Sequence, residues 1–192
     1  MNQDIGRAIV FSMPVVSAAV SLILISLDTT RSSNTVDRKI HYNMIAVYSL
    51  MMLFWSGMVM HSVARDTFIA YLPVFFSSFG FIPVFLYRIT HIITDTGERK
   101  RFPACHFILP ACLTLIICAI ALAVPFRQRW TAIYDNDVNL TSAIIDSTFI
   151  VCIVLCILYS WLSLLRIKAY KRRITDYSAD IYRMSLDWLS FI

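Results

Sequence analysis

Residues 87–110 of the chain, YRITHIITDTGERKRFPACHFILP, decide how it folds. An uncharged run, residues 67–87, ends where this stretch begins, and a second uncharged run starts at Phe102. The short loop between the two runs carries three consecutive basic residues: Arg99, Lys100 and Arg101. Because each run is long enough to cross a bilayer, the pattern predicts a helical hairpin with a basic tip. Lys and Arg are retained on the cytoplasmic side of a membrane, so the tip is expected to set the direction of every crossing.

The composition of the whole chain excludes a soluble globular domain. Of its 192 residues, 58% are hydrophobic and only 15% are charged, and the mean hydropathy is +0.69. A folded domain of this size has too little interior to hide so much apolar surface from water. In lipid every backbone amide needs an internal partner, which leaves a helix bundle or a closed barrel, and these runs lack the alternation of barrel strands. The sequence therefore predicts an all-α, multi-pass transmembrane helix bundle.

The uncharged runs predict five complete spans, with the amino terminus outside. The spans cover residues 8–27, 40–64, 67–88, 104–126 and 141–165. Residues 127–140 form the longest outward connection. Residues 184–192 resemble the first turns of a sixth span, so the chain is expected to be truncated.

Basic residues are distributed unequally between the two sides of this topology. Four of the 17 Lys and Arg residues lie on outward segments, which leaves thirteen on inward segments. The outward residues are Arg7, Arg65, Arg127 and Arg129. The inward set includes the predicted cytoplasmic anchors Arg88, Arg99, Lys100, Arg101, Lys171, Arg172 and Arg173. This asymmetry predicts the orientation of the spans and the lipid bilayer as the principal partner.

Asp146 is the one acidic residue inside a predicted span, and His61 lies at a similar depth in the second span. An ionised carboxylate at the centre of a bilayer costs up to about 2.5 to 3.5 kcal/mol, so it is expected to face the bundle interior or a wet cavity. The two residues are therefore candidates for one outward-opening ligand pocket, which would receive a small-molecule or protein signal. An interhelical hydrogen bond and simple exposure at the membrane surface remain alternative roles.

No pattern in the sequence predicts a metal, a cofactor or a catalytic centre. The methionines of the second span have no paired-ligand spacing, and the five cysteines form no C-x-x-C pair. His41, His91 and His106 all fall near the inner surface, but histidines without local spacing are typical of interfacial anchors rather than of a metal site. Asp146 and His61 alone are too few groups for an enzyme.

Two stretches resemble the membrane region of bacterial transmembrane regulators of the AraC type. They are ITDTGERKRFPACHFILP, residues 93–110, and RRITDYSADIYRMSLDWL, residues 172–189. In that family a multi-helix membrane portion precedes a cytoplasmic helix-turn-helix domain, which has no counterpart in these 192 residues. The resemblance implies a membrane sensor or anchor for a transcriptional regulator, a possible homo-oligomer, and no direct DNA binding by this fragment. A transporter-like protein is the alternative, although the chain lacks the internal repeat typical of transporters.

Overall fold

The computed structural model describes residues 2–31, 35–95, 102–135 and 139–177. The helices are α1 (Asn2–Arg31), α2 (Thr35–Val63), α3 (Arg65–Ile93), α4 (Ile108–Ala123), α5 (Phe126–Tyr134) and α6 (Leu140–Tyr177), and a 3₁₀ turn (Ala104–Phe107) precedes α4. Within these described ranges, five segments are long and apolar enough to cross a membrane, and α5 is not one of them. The predicted all-α, multi-pass helix bundle is confirmed. The anchors Arg99, Lys100 and Arg101 and the predicted sixth span, residues 184–192, lie outside the described residues.

The observed helices differ from the predicted spans mainly at their ends. The predicted connection 127–140 contains the helix α5, because Pro125 interrupts the preceding span. Val124 adopts extended backbone (φ −97°, ψ 129°), as expected before a proline, and α4 therefore ends at Ala123 instead of at residue 126. Pro125 then precedes the first turn of α5. The last helix, α6, continues twelve residues beyond the predicted end at residue 165, through the basic segment to Tyr177.

The start of α6 is defined by a reciprocal cap. The side-chain oxygen of Asn139 accepts a hydrogen bond from the backbone N–H of Ser142 at 2.9 Å. The Ser142 hydroxyl in turn lies 3.1 Å from the backbone N–H of Asn139, which donates to it. Such a cap satisfies amide groups that have no intrahelical partner, so the 38-residue helix begins at a defined point.

Helix α3 is the centre of the bundle. It contacts α2, α4, α5 and α6, whereas α1 packs mainly on α2 and is the most exposed of the five spans. The core lies between α3, α4 and α6, where α3 contributes Phe68, Leu72, Phe75, Phe76 and Val84. Because α2 and α3 are joined by a single non-helical residue, Ala64, they run antiparallel as predicted.

Gly57 allows α2 and α3 to approach closely. A Cβ atom at Gly57 would lie 2.6 Å from Cδ2 of Phe75 and 3.2 Å from Cε1 of Tyr71. The Tyr71 hydroxyl also donates to the backbone carbonyl of Leu53 at 3.0 Å, which ties the two helices together one turn away. Small residues at helix contacts are typical of membrane bundles, in which close packing replaces the hydrophobic effect.

Candidate functional site

The bundle has two ends, and polar side chains gather at both. The first, which we call the α2–α3 end, contains the starts of α1, α3 and α6, the end of α2, and α5. The second, which we call the basic end, contains the start of α2, the end of α3, the 3₁₀ turn and the part of α6 from Tyr159 onward.

At the α2–α3 end, Pro73 leaves one backbone carbonyl of α3 open to a donor from another helix. A proline has no N–H, so the carbonyl of Ile69, four residues earlier in α3, lacks its usual helical donor. The guanidinium of Arg129 supplies one, since Nη1 lies 3.3 Å from the Ile69 carbonyl oxygen. The same side chain donates through Nε to the carbonyl of Val124 at 3.1 Å, at the carboxyl end of α4. Arg129 therefore holds α5 against both α3 and α4.

Tyr134, the last residue of α5, packs against the end of α2 and the start of α3. The ring of Tyr134 lies 5.3 Å from the ring of His61, and the Arg65 guanidinium lies 5.1 Å from the centre of the Tyr134 ring. Within the described residues the buried Tyr134 hydroxyl has no hydrogen-bond partner. Burial raises the pKa of Tyr134 to about 12, with Arg65 opposing the rise and Asp66 adding to it. Tyr134 is therefore a neutral group in a partly enclosed cluster.

A cavity of about 680 Å³ opens beside this cluster. It is lined by Asp4 and Ile5 of α1, by residues 62–67 around the α2–α3 turn, and by Trp130 of α5. Its walls carry two carboxylates, Asp4 and Asp66, one guanidinium, Arg65, and the Trp130 indole. The cavity is wide open to its surroundings, so a molecule bound there would keep part of its surface exposed. Charges of both signs beside an aromatic face suit a small amphoteric or amine-containing molecule.

Among the described residues, no ring contact, hydrogen bond or ion pair joins Asp146 to His61. His61 contacts Phe68 and Tyr134 near the cavity, but it does not line it. Asp146 is exposed on α6, and within the described residues it makes no hydrogen bond or ion pair. The preceding residue, Ile145, is buried in the core. A pocket shared by Asp146 and His61 stays a prediction.

At the basic end, the Tyr159 hydroxyl of α6 contacts the 3₁₀ turn that precedes α4. It donates to the backbone carbonyl of His106 at 3.3 Å. The same hydroxyl lies 3.1 Å from Nδ1 of His106. Because a phenol has one proton, this arrangement favours the tautomer in which Nδ1–H donates to the hydroxyl. Tyr159 therefore joins α6 to the start of α4.

The other basic-end residues make separate contacts. Arg166 of α6 donates through Nε to the Thr94 hydroxyl at 2.7 Å, which links α6 to the end of α3. The predicted anchor Arg88 lies about 6 Å from the rings of Phe102 and Phe107. The remaining described anchors, Lys171, Arg172 and Arg173, follow on the last turns of α6.

The three histidines predicted near the inner surface make different contacts. His41 pairs with Asp28 at 3.2 Å, His106 binds Tyr159, and His91 packs against Phe102. Among the described residues, no three His, Cys, Asp or Glu side chains are arranged to hold a metal ion.

Comparisons with protein-family models, with curated proteins and with solved structures find no match to this chain.

Sequence reasoning missed the residues that build the α2–α3 end. In the sequence, Arg129 is only one of the four outward basic residues. One signal was available for Arg129: a proline at position 73 leaves the carbonyl at position 69 open, and a neighbouring arginine can fill it. Which arginine does so depends on the path of α5, which no local pattern predicts.

Proposed function

We propose that this chain is the sensing region of a membrane signalling protein, with the α2–α3 end outside the cell and the basic end in the cytoplasm. In this proposal a small extracytoplasmic molecule binds the cavity at Arg65, Asp66 and Trp130. Helix α6 carries the change to a cytoplasmic output. The proposed location is the inner membrane, in agreement with the inward bias of Lys and Arg.

The observation that carries the proposal is the uninterrupted length of α6. At 1.5 Å per residue its 38 residues extend about 57 Å, whereas the hydrocarbon core of a bilayer is about 30 Å thick. The helix therefore reaches well beyond the membrane. It contacts α5 near one end and is joined to α3 through Arg166 and Thr94 towards the other. A rigid helix that meets the cavity-bearing elements and continues past the bilayer suits the transmission of a signal.

The nature of the output rests on sequence resemblance. Residues 93–110 and 172–189 resemble AraC-type membrane regulators, so the proposed output is a cytoplasmic helix-turn-helix domain. We propose that the 192 residues themselves bind no specific DNA sequence. Operator binding by this chain at physiological salt, in excess of its binding to random duplex, would contradict this part of the proposal.

Reporter fusions test the orientation. Activity typical of the cytoplasm is expected after Lys39, Lys100 and Arg173, and activity typical of the far side is expected after Asp66 and Trp130. The reverse pattern at two or more sites would overturn the topology, and with it the outward-facing cavity.

Ligand binding tests the cavity. We expect a screen of amino acids and small amines against the detergent-solubilised chain to yield at least one compound that raises its melting temperature. Arg65→Gln and Asp66→Asn should abolish that rise, and Arg127→Gln, an exposed change on α5 outside the cavity, should preserve it. Binding should also alter hydrogen exchange at residues 166–177. A sensor binds the compound without moving it, so vesicles containing the chain should not accumulate it. Accumulation would favour the transporter alternative.

A further inference from the structure

Helix α6 carries one exposed ridge whose side chains change from apolar to cationic along the helix. The opposite side of α6 buries Cys152, Leu155 and Tyr159 in the core. Six exposed residues recur three or four positions apart, so they share one face of the helix. We call these six residues the α6 ridge: Val154, Ile157, Trp161, Leu165, Lys168 and Arg172. The ridge is apolar as far as Leu165 and basic beyond it.

The apolar part of the ridge faces hydrocarbon, and the basic part lies at the membrane surface. The segment Leu140–Ile174 is one of the five that can span a bilayer, and acyl chains alone can cover its exposed apolar side chains. At 1.5 Å per residue, Lys168 lies about 4.5 Å and Arg172 about 10.5 Å beyond Leu165. Side chains lean towards the amino terminus of their helix, which here is back towards the membrane. Because each headgroup layer is about 5 to 8 Å thick, both cations reach the headgroups.

No group within the described residues pairs with these two cations. Lys168 and Arg172 make no hydrogen bond or ion pair there, whereas Arg166 already donates to the Thr94 hydroxyl. Residues 147–174 hold five Lys and Arg residues and no Asp or Glu. The ridge therefore offers two positive charges, next to an apolar surface, to an anion from elsewhere.

Other covers fit the charge of the ridge poorly. Residues 96–101 contain one Glu and three basic residues, so they add positive charge. Residues 178–192 contain two Asp and one Arg, too few acidic groups to balance the five cations of α6. A second copy of the chain packed in parallel on the ridge would place Lys168 and Arg172 beside their own counterparts, where like charges repel. An anionic phospholipid, in contrast, matches both the apolar and the basic part.

We propose that the α6 ridge binds an anionic phospholipid of the leaflet at the basic end. Its phosphate lies at Lys168 and Arg172, and its acyl chains pack along Trp161 and the apolar residues before it. Ammonium and guanidinium groups donate charge-assisted hydrogen bonds to phosphate, and basic residues beside a membrane attract anionic headgroups. A zwitterionic headgroup would bring a further positive charge to the pair. Residues 140–165 of α6 hold Asp146 and no cation, so the preference for anionic lipid belongs to one leaflet. This site is independent of whether the cavity binds a ligand.

Fluorescence quenching at Trp161 tests the lipid that lies beside it, because brominated acyl chains quench an indole on contact. The full chain carrying Trp55→Phe, Trp130→Phe and Trp188→Phe is compared in vesicles of brominated phosphatidylglycerol and of brominated phosphatidylcholine. Each basic residue at a membrane surface contributes about fivefold, so the pair should give about a tenfold to thirtyfold preference for the anionic lipid. A chain that also carries Ile150→Trp and Trp161→Phe reports the other leaflet, where the preference should stay below about twofold. Equal preferences at the two positions would overturn the proposal.

Charge variants test which residues hold the headgroup. Lys168→Gln with Arg172→Gln should remove most of the preference at Trp161, whereas Lys168→Arg with Arg172→Lys should keep it within about twofold. Arg38→Gln with Lys39→Gln is the matched control, since it removes the same charge from exposed residues of α2 at the same end. An equal loss in this control would show a general effect of surface charge and would overturn the assignment to the ridge.

Two further outcomes would overturn the proposal. Displacement of the brominated anionic lipid by millimolar inorganic phosphate, or by duplex DNA at physiological salt, would show that the cations bind a phosphate without its acyl chains. A preference that appears only after Asp180→Asn and Asp187→Asn would show that residues 178–192, and not lipid, cover the two cations.

Discussion

The bond between Arg129 and the carbonyl freed by Pro73 can be tested by a double-mutant cycle. Arg129→Met removes donors at 3.3 Å from the Ile69 carbonyl and 3.1 Å from the Val124 carbonyl. A hydrogen bond to a charged group contributes about 1.5 to 3 kcal/mol when well buried. Arg129 is only half-buried, so we expect the two bonds together to contribute about 2 kcal/mol to the free energy of unfolding.

Pro73→Ala supplies the other arm of the cycle. Alanine at position 73 has an N–H that can bond to the Ile69 carbonyl within the helix, so Arg129 is no longer that carbonyl's only donor. In the Pro73→Ala background, Arg129→Met should therefore cost about 1 kcal/mol less than in the native chain. The measurement is reversible unfolding in mixed micelles, followed by helix content, for the native chain, both single variants and the double variant.

Arg127→Met is the matched control for this cycle. Arg127 is exposed on the same helix and makes no hydrogen bond within the described residues, so its loss should change the free energy of unfolding by less than about 0.5 kcal/mol. If Arg127→Met lowered the free energy of unfolding as much as Arg129→Met, the loss would come from removing a positive charge and not from the two hydrogen bonds of Arg129. If the two changes in the cycle added without coupling, Arg129 would not be serving the carbonyl that Pro73 leaves open.

Three further outcomes are expected. Gly57→Ala should lower the free energy of unfolding by about 1 to 3 kcal/mol, because the added Cβ overpacks the contact with Phe75. Gly6→Ala is the control, since its added Cβ meets nothing within 4 Å. Equal effects of the two changes in an unfolding titration would contradict this prediction. Tyr159→Phe should cost about 0.5 to 1.5 kcal/mol in the same titration because the half-buried His106 loses the hydroxyl that bonds its carbonyl and its ring. Tyr170→Phe should be near neutral, and equal costs would remove the role assigned to Tyr159. The Tyr134 phenol should ionise near pH 12 by absorbance at 295 nm, identified by its loss in Tyr134→Phe. Because folding raises this pKa, the associated stability is complete below about pH 10 and falls as the pH rises towards 12, and an ordinary titration near pH 10 would refute the burial of its hydroxyl.

Much of the architecture follows from the sequence because lipid constrains it strongly. A backbone in hydrocarbon must satisfy its own hydrogen bonds, so an uncharged run such as residues 67–87 becomes a helix whatever its neighbours are. The one-residue connection at Ala64 requires α2 and α3 to be antiparallel neighbours. These are local consequences of length, charge and proline position, and the helical class could be predicted from them.

The candidate sites depended on tertiary contacts that local patterns do not contain. The sequence places His61 and Asp146 at similar predicted depths in their spans, but depth does not determine which face of a helix a side chain occupies. Ile145 and Asp146 are adjacent in α6, about 100° apart around the helix axis, and the first is buried in the core while the second is exposed. Likewise, Pro73 predicts that the Ile69 carbonyl lacks a helical donor, but only the folded position of α5 brings Arg129 to that carbonyl. In this protein, length and charge determined which segments are helices, and side-chain packing around α3 decided which polar groups meet, because packing joins residues far apart in the chain.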